Sequence, residues 1–414
     1  MNSVYITGMG VLSPFGMGVD IMLNSMKAGQ SAVRNMKETW ERCIPDLQCW
    51  VGAPVSDDAF DSRAIPRKFR RCMGKTSRMA YYAVKDALHE AGITEQLRAS
   101  GTMGVSFAST TGSTEALSGF FESYFQKRSL SDTDSGTFFK IMSHTSAANI
   151  AHAFGIYGRV ISPCSACTSS TQSIGLGFET IRNGTQDIML CGGSDELHPL
   201  VSSSFDLLKA SSYKYNNTPE RTPRPFDKDR DGTVCGAGAG CLVLESESSA
   251  KARGAKCIAQ VTGFSTLTDA SSMAQSSTES IVRCIRAALS DSGLSERDIS
   301  FVNAHATGTL QGDAAEAAGI REVFGDETVL VNSLKGYIGH TTGASGVIEL
   351  IACLKAMEYD LLLPVMNLES PSEDCKGPAY IQKRHTSYSG RFFLKNSFGF
   401  GGTNSVLVIR RCRE

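Results

Sequence analysis

The chain has 414 residues, and 41 basic against 42 acidic side chains leave a net charge of −1, so no overall field draws it toward nucleic acid or an anionic membrane. Hydrophobic residues make up 41 % and charged residues 20 %, enough apolar material for a large core with no need of metal or disulfide staples. The 13 cysteines are scattered singly, unlike those of a small secreted scaffold, and predict reduced thiols in a cytosolic protein.

Met1-Asn2-Ser3-Val4-Tyr5-Ile6-Thr7 already reads as a strand, and no basic stretch with an apolar run precedes it, so no signal peptide is expected. No run of about 18 apolar residues occurs, so no transmembrane helix is expected either. Strands are predicted over 4–7, 104–108, 187–191, 241–245, 301–303, 329–332 and 405–409. Helices are predicted over 77–91, 169–183, 277–292, 312–324 and 344–359. Strands separated by helices of this length predict an α/β architecture, and runs that are apolar on both faces predict a sheet covered on both sides. Arg63, Arg67, Lys68, Arg70, Arg71, Lys75 and Arg78 form a local basic cluster, and Lys127 with Arg128 a second. Each is either a solvated helix face or a docking patch for an acidic partner.

Two stretches echo each other. Gly236-Ala237-Gly238-Ala239-Gly240 enters the apolar run from Cys241 to Glu245, and Gly399-Phe400-Gly401-Gly402 enters a similar run from Ser405. Val4–Ser13 and the segment 260–266 also match, each placing a strand before a Thr-Gly turn. Two related halves, 1–250 and 251–414, are therefore expected, packed as one body with no low-complexity linker. The glycine stretches do not make a dinucleotide fingerprint: one precedes a strand and does not open a helix, and Gly8-Met9-Gly10 lacks a third glycine.

Ser162-Pro163-Cys164-Ser165-Ala166-Cys167-Thr168 follows a strand-like run, and Thr171, Ile174, Phe178 and Ile181 then recur at helical spacing. Small residues permit a tight turn that presents Cys167 at a helix N-terminus, where dipole and free N–H groups favour thiolate and can hold an oxyanion. Cys164 and Cys167 also form C-x-x-C, but no second ligand pair supports zinc, and a mid-chain position is unlike a redox dithiol. A packed, unreactive cysteine is the alternative for Cys167 alone. His305 and His340, two of seven histidines, lie in Gly-rich turns just past predicted strands. Three reactive groups at three strand ends is the constellation thiolate chemistry needs. His89, His144, His152, His198 and His385 lack such settings and read as structural or surface residues.

With these motifs in this order the chain resembles the elongating β-ketoacyl-acyl carrier protein (ACP) synthases, types I and II, of the thiolase superfamily. The resemblance runs from Ile6-Thr7-Gly8-Met9-Gly10 through Ser165-Ala166-Cys167, Arg224-Pro225-Phe226-Asp227, Asp229-Arg230-Asp231-Gly232, the His305 turn, Gly312-Asp313, Lys335 and Gly339-His340 to Asn396–Asn404. It implies a duplicated thiolase fold in five layers, α-β-α-β-α. It implies decarboxylative condensation of malonyl-ACP with an acyl group on Cys167, no metal and no cofactor beyond the carrier's phosphopantetheine. His305 and His340 are then the decarboxylation donors, and Lys335, paired with Glu316, supports them. Phe400 is the gate and lends a backbone N–H, Phe205 lines the same entrance, Thr307 and Thr309 hold the pantetheine arm, and Thr111 lies near the acyl-pocket floor. ACP is the implied partner, docking on Arg63, Arg67, Lys68, Arg71, Lys127 and Arg128. A homodimer is implied, or a heterodimer with a chain-length factor. Ala306 and Ser169-Ser170 stand where the family usually has glycine, which bears on substrate range and removes no reacting group.

Two rivals differ in class. A CoA-dependent thiolase needs a second cysteine in the C-terminal Gly-rich turn, where Phe400 stands, with Cys412 out in the tail. A chain-length-factor subunit, which only shapes a partner's pocket, typically lacks the nucleophile. Initiating synthases use Cys-His-Asn, which His340 opposes.

Overall fold

The computed structural model describes residues 2–131, 133–274, 276–382 and 385–412. Its frame is the strands β1 (Val4–Ser13), β2 (Met103–Ala108), β3 (Val160–Ile161), β4 (Ile188–Asp195), β5 (Gly238–Ser246), β6 (Ala259–Thr268), β7 (Ile299–Asn303), β8 (Leu330–Asn332), β9 (Phe392–Gly399) and β10 (Thr403–Arg411). They lie side by side as β3-β2-β4-β5-β1 and as β8-β7-β9-β10-β6, so the second set repeats the order of the first. In each set the first three neighbours are parallel and the last two pairings antiparallel. A short antiparallel contact, Val4↔Val261 to Ile6↔Ala259, joins β1 to β6. β9 is a strand that hydrophobic periodicity did not pick out, because Lys395, Asn396 and Ser397 interrupt its apolar run.

The helices that set the layers are α1 (Lys75–Glu90), α2 (Thr114–Lys127), α3 (Thr145–Phe154), α4 (Ser169–Arg182), α5 (Thr278–Ser292), α6 (Leu310–Phe324) and α7 (Ser345–Glu358). α1 and α3 cover the outside of the first sheet, and α5, backed by α6, the outside of the second. α4 and α7 lie between the sheets and touch each other, which gives five layers, α-β-α-β-α. Their sequences fit that place. Thr171, Ile174, Phe178 and Ile181 of α4 are all buried, and α7 is buried from Ser345 through Leu354 with no solvent face, as a helix walled in on every side should be. The two meet with almost no clearance: a Cβ on Gly346 would stand 2.1 Å from Thr171 Oγ1, and Val347 N donates to Ser170 Oγ at 3.1 Å.

The strands of the two sequence echoes hold matching positions, β1 with β6 and β5 with β10. The Thr-Gly pairs, however, do not turn the chain. β1 runs on to Ser13, and its register with β5 slips between Ile6 and Gly8; β6 slips against β10 at Thr262 in the same way. Each is a β-bulge. Each following glycine lies under a helix, with a Cβ on Gly8 falling 2.4 Å from Ala87 O and one on Gly263 falling 2.6 Å from Ala288 O. The expectation of thiols throughout also needs correction. Register Arg411↔Ala259 brings the ends of β10 and β6 together, and Cys257 and Cys412 are joined there as a disulfide with Cα atoms 6.2 Å apart. Antiparallel pairing across 155 residues is what sequence spacing does not display. The other eleven cysteines are free.

Gly8→Ala and Gly263→Ala should each destabilise the fold by about 1–3 kcal/mol, because a backbone carbonyl cannot step aside as a side chain can. Gly119→Ala, in the exposed middle of α2 with open space around it, should be neutral or stabilising by up to about 1 kcal/mol. Chemical denaturation of the three variants checks this, and equal effects at all three would contradict it.

Candidate active site

Cys167 sits in the 3₁₀ turn Ala166–Thr168 that leads into α4. Ala166 has φ 49°, a left-handed value that aims the next residue out of the turn. Small hydroxyls brace it: Thr168 Oγ1 donates to Ser165 O at 2.7 Å, and Ser169 Oγ donates to Ala166 O at 2.6 Å while accepting from Ser165 N at 2.9 Å. The end of β9 lies against this turn, and a Cβ on Gly399 would be 3.3 Å from Cys167 N. The backbone N–H groups of Phe400 and of Cys167 face the thiol. Cys164 points elsewhere, exposed, with Sγ 3.3 Å from Thr110 O.

The helix N-terminus does not, on balance, favour thiolate. Burial pushes the Cys167 thiol up to about 11, against the downward pull of Lys335 and those two N–H groups. Desolvation outweighs the dipole because the residue is 6 % exposed.

Both histidines come from the second half. Beyond β7, Ala304 N donates to Asn332 O at 2.8 Å, and the Glu316 carboxylate accepts from His305 N at 2.9 Å and Ala306 N at 2.7 Å. Beyond β8, His340 is pinned by its own backbone: His340 N donates to Val234 O at 2.7 Å, and Gly236 N to His340 O at 2.8 Å. The Gly-rich stretch before β5 therefore grips the histidine loop. His340 Nδ1 lies 2.8 Å from Ser345 Oγ, whereas His340 Nε2 and His305 Nδ1 are buried without partners. The imidazoles are edge to face, centroids 5.2 Å apart, and one ring nitrogen of each falls within 4.8 Å of the other and of Cys167 Sγ. Burial holds both histidines well below the usual imidazole range, with Lys335 and Lys395 adding to it, so both are neutral near pH 7.

Lys335 does not pair with Glu316. Its Nζ lies 2.6 Å from Glu349 Oε1 on α7, and Lys395 Nζ lies 2.7 Å from Glu349 Oε2, all three side chains out of water. Glu316 is already committed to the two backbone N–H groups and to Asn396 Nδ2 at 3.0 Å. Glu349, Lys395 and Asn396 were missed in the sequence. The signal for Glu349 was a carboxylate inside the apolar run Val347-Ile348-Glu349-Leu350-Ile351.

A cavity of about 430 Å³ opens onto Cys167, His305 and His340, and its wall includes Phe205, Thr307, Thr309, Glu316 and Phe400. The Phe205 and Phe400 rings are 5.4 Å apart, with Phe205 6.2 Å from the His340 ring. Asp313, pushed up to about 7 by burial, ties this wall together by accepting from Phe226 N at 2.7 Å and Gly308 N at 3.1 Å. The wall also rests on the Arg224–Asp227 pair and on Arg230, which donates to Leu310 O. Leu208 and Leu310 form an exposed apolar rim with Lys209. Cys167 is the one cysteine among the described residues of the wall, which leaves the thiolase reading without its second thiol. Thr111 stands apart: it is exposed in the loop before α2, bonded to Thr114, and off the cavity wall. Of the first basic cluster, Arg63, Arg67, Lys68 and Arg71 are exposed. Arg70, Lys75 and Arg78 are half-buried against Ser62 O, Asp57 and Met73 O. Lys127 and Arg128 are exposed at the end of α2, and none of these basic residues lines the cavity.

Comparison with known proteins agrees with this geometry. Residues 1–250 match the family model for the beta-ketoacyl synthase N-terminal domain, and residues 258–369 that for the beta-ketoacyl synthase C-terminal domain. The chain is 33 % identical to 3-oxoacyl-[acyl-carrier-protein] synthase 1 of Escherichia coli K12, over 100 % of both chains. Among solved structures it is similar to a beta-ketoacyl synthase from Burkholderia phymatum, at TM-score 0.95 and 37 % identity over 100 % of both chains. It is also similar to a type II polyketide ketosynthase solved in complex with its acyl-carrier protein, at TM-score 0.88 and 28 % identity over 100 % of both chains. The chain belongs to the β-ketoacyl synthase family.

Proposed function

We propose that the protein lengthens acyl chains by decarboxylative Claisen condensation, joining malonyl-ACP to an acyl group on Cys167, in fatty acid synthesis or a related polyketide or aryl polyene pathway. The observation that carries this reading is the meeting of Cys167, His305 and His340 within 4.8 Å, with ring nitrogens left free of partners. Cys167 attacks an acyl thioester, the oxyanion rests on the N–H groups of Cys167 and Phe400, and the carrier thiol departs with the cysteine's proton. Malonyl-ACP enters next. Loss of CO₂ leaves an enolate whose charge collects on the thioester oxygen, where N–H groups of neutral imidazoles are suited to receive it. In this reading the Ser345 hydroxyl, 2.8 Å from His340 Nδ1, serves as donor, which assigns the ring proton to Nε2. The enolate carbon then attacks the acyl-cysteine carbonyl, and Cys167 leaves as a thiolate that regains a proton from solvent as the β-ketoacyl-ACP forms. This route needs no metal or cofactor, and the positive charge of Lys335 and Lys395 opposes a cation between the thiol and the imidazoles.

Acylation and decarboxylation are separable tests. Intact-mass and peptide analysis after incubation with acyl-ACP should place one acyl group on Cys167. Alkylation of Cys167 by iodoacetamide should quicken about tenfold per pH unit between about pH 7 and 9, since its thiol titrates near 11. His305→Ala or His340→Ala should lower CO₂ release from malonyl-ACP by roughly 10²-fold while leaving acylation detectable. Labelling confined to Cys164, or normal CO₂ release in both histidine variants, would refute the assignment.

The carrier is expected on exposed basic residues, which steer an acidic partner through their field. Arg67→Glu, Lys68→Glu and Arg71→Glu combined should raise the KM for acyl-ACP and spare small acyl-pantetheine thioesters, an effect that added salt imitates in the parent. Equal use of acyl-ACP by parent and triple variant at low salt would move docking to Lys127 and Arg128.

The working form in this reading is a cytoplasmic homodimer, a setting that the eleven free thiols fit and the single disulfide Cys257–Cys412 does not. Strand β3 is the outer edge of its sheet with Val160 48 % exposed, and Phe121, Phe125, Phe138 and Phe139 are exposed nearby in sequence. A second copy pairing along β3 would hide the sheet edge, and the exposed rings are apolar surface that a partner would cover. Sedimentation should show a dimer that Val160→Lys with Phe139→Asp weakens. A monomeric parent would favour a heterodimer with a chain-length factor.

A further inference from the structure

Lys395 takes part in no bond-making step of the chemistry above, yet it is fully buried beside it. Its side chain leaves β9 in register with Asn303, the last residue of β7 before the His305 loop. Nζ makes two contacts, to Glu349 Oε2 and to Asn396 O, each at 2.7 Å. The first completes a clamp in which one carboxylate serves two ammonium groups, since Glu349 Oε1 already holds Lys335. The second fixes the peptide of Asn396, whose side chain donates to Glu316, the carboxylate that holds His305 N and Ala306 N. Four residues further along β9's exit stands Gly399, then Phe400, whose N–H faces the Cys167 thiol.

A buried lysine is costly unless something requires its charge or its contacts. Glu349 alone could have been satisfied by Lys335. The second ammonium leaves the clamp with a net charge of +1, offset only through the chain of contacts leading to Glu316.

We infer that Lys395 is a positioning residue for the condensation, anchoring through Glu349 and Asn396 O the strand that leads to the Phe400 N–H and lending its positive charge to the site of His305 and His340. The inference rests on the decarboxylation reading above. Cys167 lies against the two imidazoles, Lys335 and Lys395 act on them through their charge, Glu316 holds the His305 backbone, and Glu349 holds the two lysines. Lys335 and Lys395 both disfavour an imidazolium there. Removing one therefore raises the pH at which the donors protonate, and activity that needs neutral rings is lost from the acid side at a higher pH.

The test compares Lys395→Gln, which keeps an N–H donor one atom nearer the backbone and drops the charge, with Lys395→Arg, which keeps the charge. CO₂ release from malonyl-ACP is followed from pH 5 to 9. The acid limb of Lys395→Gln should move to higher pH with little change in the KM for malonyl-ACP, while Lys395→Arg keeps the parent's limb. Identical limbs in all three proteins, or equal displacement in both variants, would overturn the inference even if turnover fell, because a loosened fold lowers turnover without moving the limb. In the parent, ring-carbon resonances of His305 and His340 give a reading that needs no variant, and titration of either at about pH 6.5 or above would overturn it too. A parent that releases no CO₂ at any pH refutes instead the decarboxylation reading, so the two failures are distinct.

Discussion

The closeness of α4 and α7 is the constraint on which the remaining structure depends. Each begins at a tight turn past the end of a strand, one in each half, and only glycine at 346 lets Thr171 pass at the crossing. With Val347 N bonded to Ser170 Oγ, the two helix starts are locked at the same level. Because the turn holding Cys167 belongs to one helix start and the His340 loop runs into the other, fixing the crossing fixes the distance between nucleophile and donors. Neither half owns a complete site.

Electrostatics follows from the same burial. A thiol enclosed by protein is held protonated and the imidazoles beside it are held neutral, so the resting site carries little charge on its reacting atoms. Formal charge is confined one layer back, on Lys335, Lys395, Glu349 and Glu316, where contacts of 2.6 to 3.0 Å satisfy it. Transient negative charge on a substrate oxygen then forms among oriented N–H groups in a wall that need not reorganise.

Much of this was legible in the sequence, for physical reasons. Cys167, His305 and His340 stood out because glycine and small residues mark where a chain turns sharply past a strand, and strand ends are where α/β sites collect. The partner of Lys335 was misread. Glu316 and Glu349 are both buried carboxylates on helices consecutive in the chain, α6 and α7, and only packing shows that Glu316 faces backbone N–H groups while Glu349 faces the lysines. Lys395 broke an apolar run and so hid both itself and β9. The Thr-Gly pairs had the composition of turns but the role of bulges beneath a helix, a distinction set by the helix and invisible in the strand. Cys257 and Cys412 could be joined only after the order of β6 and β10 was known.

The repeated strand order has a last consequence. Ala166 at φ 49° precedes Cys167 and α4; Thr342 at φ 47° precedes Gly343 and α7 in the same relation. Each elbow leans on the fourth strand of the opposite half. The first meets the end of β9, which offers it a backbone N–H, and the second meets Asp195 at the end of β4, whose Oδ2 accepts from Gly343 N at 2.7 Å and Thr342 Oγ1 at 2.8 Å. The molecule thus contains two cradles of one design. One is permanently corked by a carboxyl group of its own chain and serves as masonry. Its twin opens onto the cavity shared with His305 and His340.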